Sequence, residues 1–307
     1  MLKKISIRKI TISTISLFAI MLLYLIPSNK TLKIEKELEY VGKEIEGAEI
    51  FLMDKNSYIA LTNAPVIEKD IEKRARELIK ILTVGAMESK VPSGFSAVLP
   101  PDTEVLSISY EKGILKVNFS KEILDIEKSL EEKMIEALVY TLTSIDKVDK
   151  IIIYVEGDIL TKLPKTKIIL PSTLDKTFGI NKNFNLTSTK NITDVTVYYI
   201  NQINESYYYV PVTKYLNDNR EKIDIIIEEL SIGLNPNIKL KSYLTEETQL
   251  VSKTLEGKTM KVEIKDNNEL NKNIKNNIDK TVVLSICSTY DIEEVELNTE
   301  KNYCNNK

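Results

Sequence analysis

The sequence predicts an α+β protein with two tandem small domains, each of strands plus two helices packed on one face of a sheet, preceded by one transmembrane helix. Three observations lead to this prediction. An uncharged segment follows four basic residues at the N-terminus, strand and helix patterns fill the rest of the chain, and their order recurs at a spacing of about 145 residues. One domain has therefore been duplicated behind a membrane anchor.

The N-terminal segment has the charge pattern of a signal anchor. Basic residues occupy positions 3–9, the uncharged stretch covers residues 10–26, and Pro27 ends it. As a helix this stretch would extend about 26 Å, near the short end for crossing a bilayer. The charge bias places the N-terminus in the cytoplasm and the bulk of the chain outside. We therefore predict a membrane anchor over residues 1–30 and a charged juxtamembrane spacer over 31–47. A cleaved signal peptide is the alternative, but no small-x-small cleavage pattern follows.

Composition excludes several classes of function. The 307 residues carry 42 basic and 45 acidic side chains, a net charge of -3, so no basic face for nucleic acid is expected. Histidine is absent, which excludes Ser-His-Asp and Cys-His nucleophile pairs and histidine-based metal sites within this chain. No glycine-rich phosphate loop or metal-ligand spacing is present. We expect no catalytic, cofactor-binding or metal-binding residues.

The two cysteines, Cys287 and Cys304, leave two interpretations open. Outside the membrane they could form one disulfide, but a pair alone does not establish a disulfide scaffold. The favoured interpretation is that Cys287 lies beside a helix's apolar stripe and Cys304 lies on a loose tail.

The first domain is predicted over residues 48–160, in the order strand, strand, helix, hairpin, helix, strand. Residues 48–53 and 57–62 have strand patterns, and a hairpin turns at 111–113. The run 151–157 lacks alternation, as expected for a strand covered on both faces. The two helices are predicted from apolar stripes at helical spacing. These stripes are Ile67, Ile71, Ala75, Leu78, Ile79 and Leu82, then Leu130, Met134, Ala137, Leu138, Thr141, Leu142 and Ile145.

This order resembles the GerM domain of sporulation and spore germination proteins. The resemblance rests on the lead-in of prolines and glycine at 92–101, the hairpin strand ending in 116–120, the helix ending in 138–143, and a closing strand with Glu156-Gly157. It implies an interaction or scaffolding protein of the envelope without catalysis, because the domain is similar to ring-building modules of the apparatus between the two cells of a sporangium. The implied partners are envelope or sporulation-complex proteins.

A second, divergent copy is predicted over residues 192–300, with 161–191 as a linker and 301–307 as a tail. Two landmarks support the duplication, since Val117 and Val262 are 145 positions apart and Ile151 and Val295 are 144 apart. The copy lacks the Glu-Gly end, with Glu300-Lys301 taken as its counterpart. Its predicted helical stripes are Leu216, Ile223, Ile226, Ile227 and Leu230, then Leu270, Ile274, Ile278, Val282 and Ile286.

Two sets of side chains are candidates for function. Glu131, Glu132 and Glu136 could act as paired carboxylates for acid-base chemistry or glycan cleavage, but they occupy the polar side of a helix and are expected to face solvent. The candidate interaction surface consists of tyrosines that could stack on sugars or anchor a protein interface, or that could instead be core and rim positions of a hairpin. These are Tyr198, Tyr207, Tyr208 and Tyr209, together with Tyr199.

The expected function is thus a non-enzymatic extracytoplasmic scaffold or assembly factor. Two alternatives come from these same residues. A module that binds peptidoglycan or another ligand would use the tyrosines, and an accessory cell-wall hydrolase would use the glutamates.

Overall fold

A computed structural model describes residues 47–204, 206–232, 240–265 and 272–304. No helix in these ranges is both long and apolar enough to cross a membrane. The predicted anchor, residues 10–26, lies outside the described residues.

The first repeat contains seven strands and two α-helices. Its strands are β1 (Ala48–Asp54), β2 (Ile59–Ala64), β3 (Phe95–Ser96), β4 (Val105–Glu111), β5 (Ile114–Phe119), β6 (Lys150–Val155) and β7 (Asp158–Ile159). Its helices are α1 (Ile71–Leu82), which lies between β2 and β3, and α2 (Glu131–Leu142), which lies between β5 and β6. The mixed α+β composition agrees with the predicted fold class.

The second repeat follows a short strand, β8 (Asn183–Asn185). Its strands are β9 (Ile192–Ile203), β10 (Ser206–Asn217), β11 (Gln249–Glu256), β12 (Thr259–Lys265), β13 (Glu294–Leu297) and β14 (Glu300–Tyr303). Its helices are α3 (Lys222–Ile232) and α4 (Lys272–Thr289). Leu216, predicted to lie on a helix, lies on β10, because that strand is twelve residues long and α3 begins only at Lys222.

Each repeat carries a four-stranded sheet of the same topology, β4-β5-β6-β7 in the first and β11-β12-β13-β14 in the second. In both sheets the first pair is antiparallel, the middle pair is parallel across a helical crossover, and the last pair is antiparallel. A β-bulge interrupts the first pair at Leu106 in one sheet and at Val251 in the other. These bulges are 145 positions apart, the period found in the sequence.

The largest sheet contains strands from both repeats. Its order is β3-β1-β2-β10-β8, with β9 on the other edge of β10. Tyr209 of β10 pairs with Leu61 of β2, so the repeats are joined by strand pairing as well as by the chain between them.

The sequence predicted a linker over residues 161–191, but much of this segment packs on the folded repeats. Leu163, Leu170, Leu174 and Ile180 are all buried in the core of the first repeat, and β8 pairs in parallel with β10. These apolar residues are widely spaced among prolines and polar residues, so they produce neither a helix nor a strand period.

Helix α1 begins later than its apolar stripe indicated. Asp70 is the N-cap and accepts a hydrogen bond from the amide of Lys73 at 3.0 Å, which satisfies one of the free amides of the first turn. Ile67 therefore precedes the helix and is 83% exposed. Leu78, Ile79 and Leu82 are buried as predicted.

The disulfide between Cys287 of α4 and Cys304 corrects the favoured prediction that both cysteines are unpaired. It also corrects the predicted tail, because residues up to Tyr303 form β14 along the edge of β13. That pairing carries Cys304 back to the helix, where the two Cα atoms are 5.2 Å apart, within the range a disulfide bridges. A separation in sequence of 17 residues could not reveal this proximity.

The closing turn of the first repeat, Glu156-Gly157, corresponds to Asn298-Thr299 in the second. The match of Glu156-Gly157 with Glu300-Lys301, predicted from the sequence, is wrong. Both turns have two residues with positive φ, at 50° and 91° in the first repeat and 49° and 74° in the second. Glycine adopts this conformation without a steric penalty, whereas a β-branched residue such as Thr299 is strained there.

Replacing Thr299 with glycine is therefore expected to raise the free energy of unfolding by about 1 kcal/mol. Urea unfolding of the purified chain measures the change. Thr259→Gly is the control, because glycine within strand β12 should lower stability by a similar amount. Equal losses in both variants would show that the turn at Thr299 is not strained.

Candidate interaction surfaces

The predicted tyrosine surface lies mostly inside the protein. Tyr198 is 2% exposed and its hydroxyl accepts a hydrogen bond from Ser288 at 3.2 Å. Tyr199 is fully buried. Tyr209 donates to Asn277 at 2.8 Å. Only Tyr207 exposes a large part of its side chain, at 40%.

Tyr208 is held at the joint between the repeats by a buried carboxylate. Its hydroxyl donates to Oδ2 of Asp54 at 2.7 Å, while Oδ1 of Asp54 accepts from the amides of Asn56 and Tyr58. Burial and this bond to Asp54 raise the pKa of Tyr208. The ring of Phe95 packs edge-on against Tyr208 at 5.0 Å. Tyr198 and Tyr208 thus join elements within the fold. They occupy core positions of the β9-β10 hairpin, the alternative that the sequence left open, and do not form a surface for partners.

Two of the three candidate glutamates are also buried, contrary to the prediction that they face solvent. Glu131 is 1% exposed and Glu136 is 3% exposed. The reason is that residues of the predicted linker, between positions 165 and 182, cover the polar side of α2. Glu132 alone remains partly exposed, in an ion pair of 2.6 Å with Lys182.

Glu131 stabilises the loop that follows β7. Its oxygens accept hydrogen bonds from the amides of Lys165, at 2.8 Å, and Thr166, at 2.6 Å, and from the Thr166 hydroxyl at 2.6 Å. Burial opposes ionisation, but these hydrogen bonds outweigh it and lower the pKa of Glu131. Both oxygens are engaged in this structural contact.

Glu136 supports an asparagine that joins β2 to β10. Oε2 of Glu136 accepts the amide of Asn181 at 3.0 Å. The side chain of Asn181 accepts from the Ile59 amide at 2.9 Å and donates to the carbonyls of Ile59 and Pro211 at 2.7 and 2.8 Å. Pro211 has no amide proton to continue the pairing of β2 with β10. Asn181 therefore supplies the hydrogen bonds that the two strands cannot make directly.

Burial raises the pKa of Glu136 to about 7. Desolvation favours the neutral acid, and the Asn181 amide and the charge of Lys182 only partly oppose it. A raised carboxyl pKa is common at catalytic sites, but this carboxyl is directed at a backbone amide of its own chain. Within the described residues, no group of three or more acidic or cysteine side chains is placed to hold a metal ion.

The surface of the predicted linker forms an aromatic groove of about 440 Å³ that the sequence did not indicate. It is lined by Ile169, Asp175, Phe178, Lys182, Phe184 and Tyr215, among others. Phe184 and Tyr215 are paired across β8 and β10, and their rings stack with centroids 4.7 Å apart and planes 13° apart. Phe184 is 65% exposed and Ile169 is 79% exposed.

A second candidate surface occurs once in each repeat, on the edge strands β4 and β11. The bulged residues Leu106 and Val251 are 47% and 53% exposed. Leu255, also on β11, is 54% exposed. Beside Val251 lies a shallow cleft of about 560 Å³, whose lining includes Lys261, Glu263 and Ile264. Bulged edge strands with exposed apolar residues are sites where a further chain can pair or pack.

Comparison with known proteins agrees with the repeated topology. A family model described as "Germane: Sporulation and spore germination" matches residues 50–161. The spore germination protein GerM of Bacillus subtilis (strain 168) is 34% identical over 212 residues, which are 67% of this chain and 56% of that protein. The chain thus spans about half the length of this curated relative.

Among solved structures, the tandem GerMN domains of the sporulation protein GerM from Bacillus subtilis superpose with a TM-score of 0.73 at 27% identity. The match covers 82% of this chain and 89% of that one. The first GerMN domain of the same protein covers 43% of this chain and 98% of that one, with 29% identity and a TM-score of 0.40. By its family model, its relative and its two repeats of one topology, the chain belongs to the GerM family of sporulation and spore germination proteins and carries two tandem domains.

Proposed function

We propose that this chain is a non-enzymatic, extracytoplasmic assembly factor that acts in sporulation or spore germination. In this proposal residues 10–26 anchor it in the cell membrane. The two repeats contact envelope or sporulation-complex proteins through equivalent surfaces on β4 and β11. Its membership of the GerM family supports a role in sporulation or spore germination, and the tandem repeats support a role in assembly.

One observation carries the proposal. Leu106 and Val251 are each the extra residue of a bulge in an edge strand, they are 145 positions apart, and both expose an apolar side chain. A bulge directs its extra residue away from the regular pleat. Because the two copies have otherwise diverged, the same exposed apolar position in both favours a repeated contact.

The disulfide supports the extracytoplasmic part of the proposal. Disulfides form and persist in oxidising compartments and are rare in reducing ones. The bond between Cys287 and Cys304 joins the last strand to α4, so it forms part of the folded second repeat.

The test replaces Leu106 and Val251 with aspartate, singly and together, in cells that produce the full chain. We expect each substitution to weaken its contact about tenfold or more, because an unpaired charge in an interface costs more than the 1.4 kcal/mol that a tenfold change in affinity represents. Each single variant should therefore reduce the yield of heat-resistant spores, and the double variant should reduce it further. Vegetative growth should be unchanged.

Ile67→Asp is the matched control, since Ile67 is 83% exposed and lies on neither edge strand. All variants should accumulate to the same level and unfold at the same temperature. A normal spore yield from a well-folded double variant would rule out the two edge surfaces as the sites of assembly.

A further inference from the structure

The aromatic groove combines a flat apolar platform with fixed polar groups at its rim. The platform is the stacked pair of Phe184 and Tyr215. Because the two residues are direct partners of parallel strands, their rings are held face to face on the surface of the largest sheet. The exposed ring of Phe184 therefore presents one face without the cost of ordering a mobile side chain.

The polar rim contains two ion pairs, each between a lysine and a carboxylate. Lys182 contacts Glu132 at 2.6 Å, and its ammonium also lies 3.6 Å from the centre of the Phe178 ring. Asp175 contacts Lys150 at 3.3 Å. Each cation is thus paired with a carboxylate, and these groups add no net charge to the groove.

Asp175 is set in a fixed orientation. Its Oδ1 accepts hydrogen bonds from the amide and hydroxyl of Thr177 at 2.9 and 2.5 Å. These bonds and Lys150 outweigh the effect of partial burial and lower the pKa of Asp175, so the group is an ionised acceptor at neutral pH. The same groove therefore offers a carboxylate acceptor, an ammonium donor and an exposed aromatic face.

From these features we propose that the aromatic groove binds the pyranose rings of a glycan. A pyranose has an apolar face of C–H groups that can lie on the ring of Phe184. Its hydroxyl groups can donate to Asp175 and Glu132 and accept from Lys182. The balanced charge of the rim suits a neutral polyol better than a phosphate or a charged peptide, and about 440 Å³ lies within the usual size of small-ligand sites.

The position of the groove differs from the tyrosine surface that the sequence suggested for sugars. It is lined by residues of α2, β8, β10 and the segment before β8, and by no residue of the edge strands β4 and β11. This inference does not rest on the proposed assembly function, because Leu106→Asp and Val251→Asp should leave glycan binding unchanged.

The test is binding of the full-length chain to soluble chitotetraose and cellotetraose by isothermal titration calorimetry, and to insoluble cell-wall peptidoglycan by co-sedimentation. We expect saturable binding to at least one probe, weakened about tenfold or more in Phe184→Ala, since losing one stacked ring removes on the order of 1.4 kcal/mol. Preference for chitotetraose over cellotetraose would identify the bound glycan as a polymer of amino sugars, and the reverse preference would identify it as an unsubstituted glucan.

Tyr303→Ala is the matched control, because Tyr303 is 65% exposed, the same fraction as Phe184, and lies on β14 far along the chain from the groove. Asp175→Asn keeps an acceptor for Thr177 but removes the charge, and should also weaken binding. The proposal is overturned if no probe binds, if Phe184→Ala binds as well as the unmodified chain, or if the groove variants instead lose a protein partner while glycan binding persists.

Discussion

Glu136→Gln should remove about 3 kcal/mol of pH dependence from the stability of this protein. The pKa of Glu136 is about 7 in the folded chain, compared with an ordinary value of 4.5, and each unit of difference corresponds to about 1.4 kcal/mol. Between these two values the folded state holds the proton and the unfolded state does not. The free energy of unfolding therefore falls as pH rises from 4.5 to 7, and is lowest above that window.

Glutamine cannot ionise and keeps an oxygen to accept the Asn181 amide. The variant should therefore be more stable than the unmodified chain above pH 7 and nearly equal to it at pH 4.5. Urea unfolding at several pH values between 4.5 and 8 measures the difference. Part of the pH dependence of the free energy of unfolding should persist in Glu136→Gln, because burial also raises the pKa of Glu49.

Glu131→Gln provides a control on the same helix, at a side chain that is also almost inaccessible to solvent. Hydrogen bonds from Thr166 and Lys165 outweigh burial and lower the pKa of Glu131, so its contribution to stability is present above the ordinary carboxyl pKa and is lost as pH falls. Its variant should be destabilised at neutral pH by about 1–3 kcal/mol, the usual cost of unsatisfied buried donors. If Glu136→Gln were destabilised at pH 8 by as much as Glu131→Gln, the pKa of Glu136 would not be raised in the folded protein.

Breaking the disulfide should have an effect of comparable size. Cys304→Ser is expected to lower the free energy of unfolding by about 3 kcal/mol, because the bond closes a loop of 17 residues and such a loop restricts the unfolded chain by about that amount. Strand β14 should exchange its amide protons faster, since among the described strands it pairs only with β13. Urea unfolding and hydrogen exchange measure the two effects.

The unmodified chain in the presence of a thiol reductant is the matched control for this variant. It should unfold at the same urea concentration as Cys304→Ser, while the oxidised chain unfolds at a higher one. Equal stability of the oxidised and reduced chains would mean that the bond does not restrain the second repeat. If the oxidised chain is the more stable one, spore yield from Cys304→Ser cells shows whether this restraint is needed in the cell.

Much of the local structure could be predicted because it depends on neighbouring residues. The hairpin turning at 111–113 follows from alternation and a glycine turn, and it occurs as β4-β5. The period of 145 residues, taken from valines in strands, recurs in the bulges at Leu106 and Val251. A repeated sequence pattern thus predicted a repeated topology.

The glutamates of α2 show why a helical pattern can mislead. The stripe correctly predicted which face of the helix packs on the sheet. The opposite face would be exposed if the helix covered an outer surface, but the segment around Lys165 and Asn181 lies over it. Ten of the twelve residues of α2 are consequently buried. A periodic pattern within one helix cannot predict that a segment 30 to 50 residues later in the chain packs over its polar face.

By itself the sequence determined the membership of the GerM family, the α+β class and the duplication, because these depend on short-range patterns repeated along the chain. Only the tertiary structure decided how the repeats are joined, where the tyrosines lie, and which surfaces remain exposed. The contact between Asn181 and Ile59 spans 122 positions, and that between Tyr208 and Asp54 spans 154. Such contacts are set by the packing of whole sheets, and no local pattern of residue types specifies them.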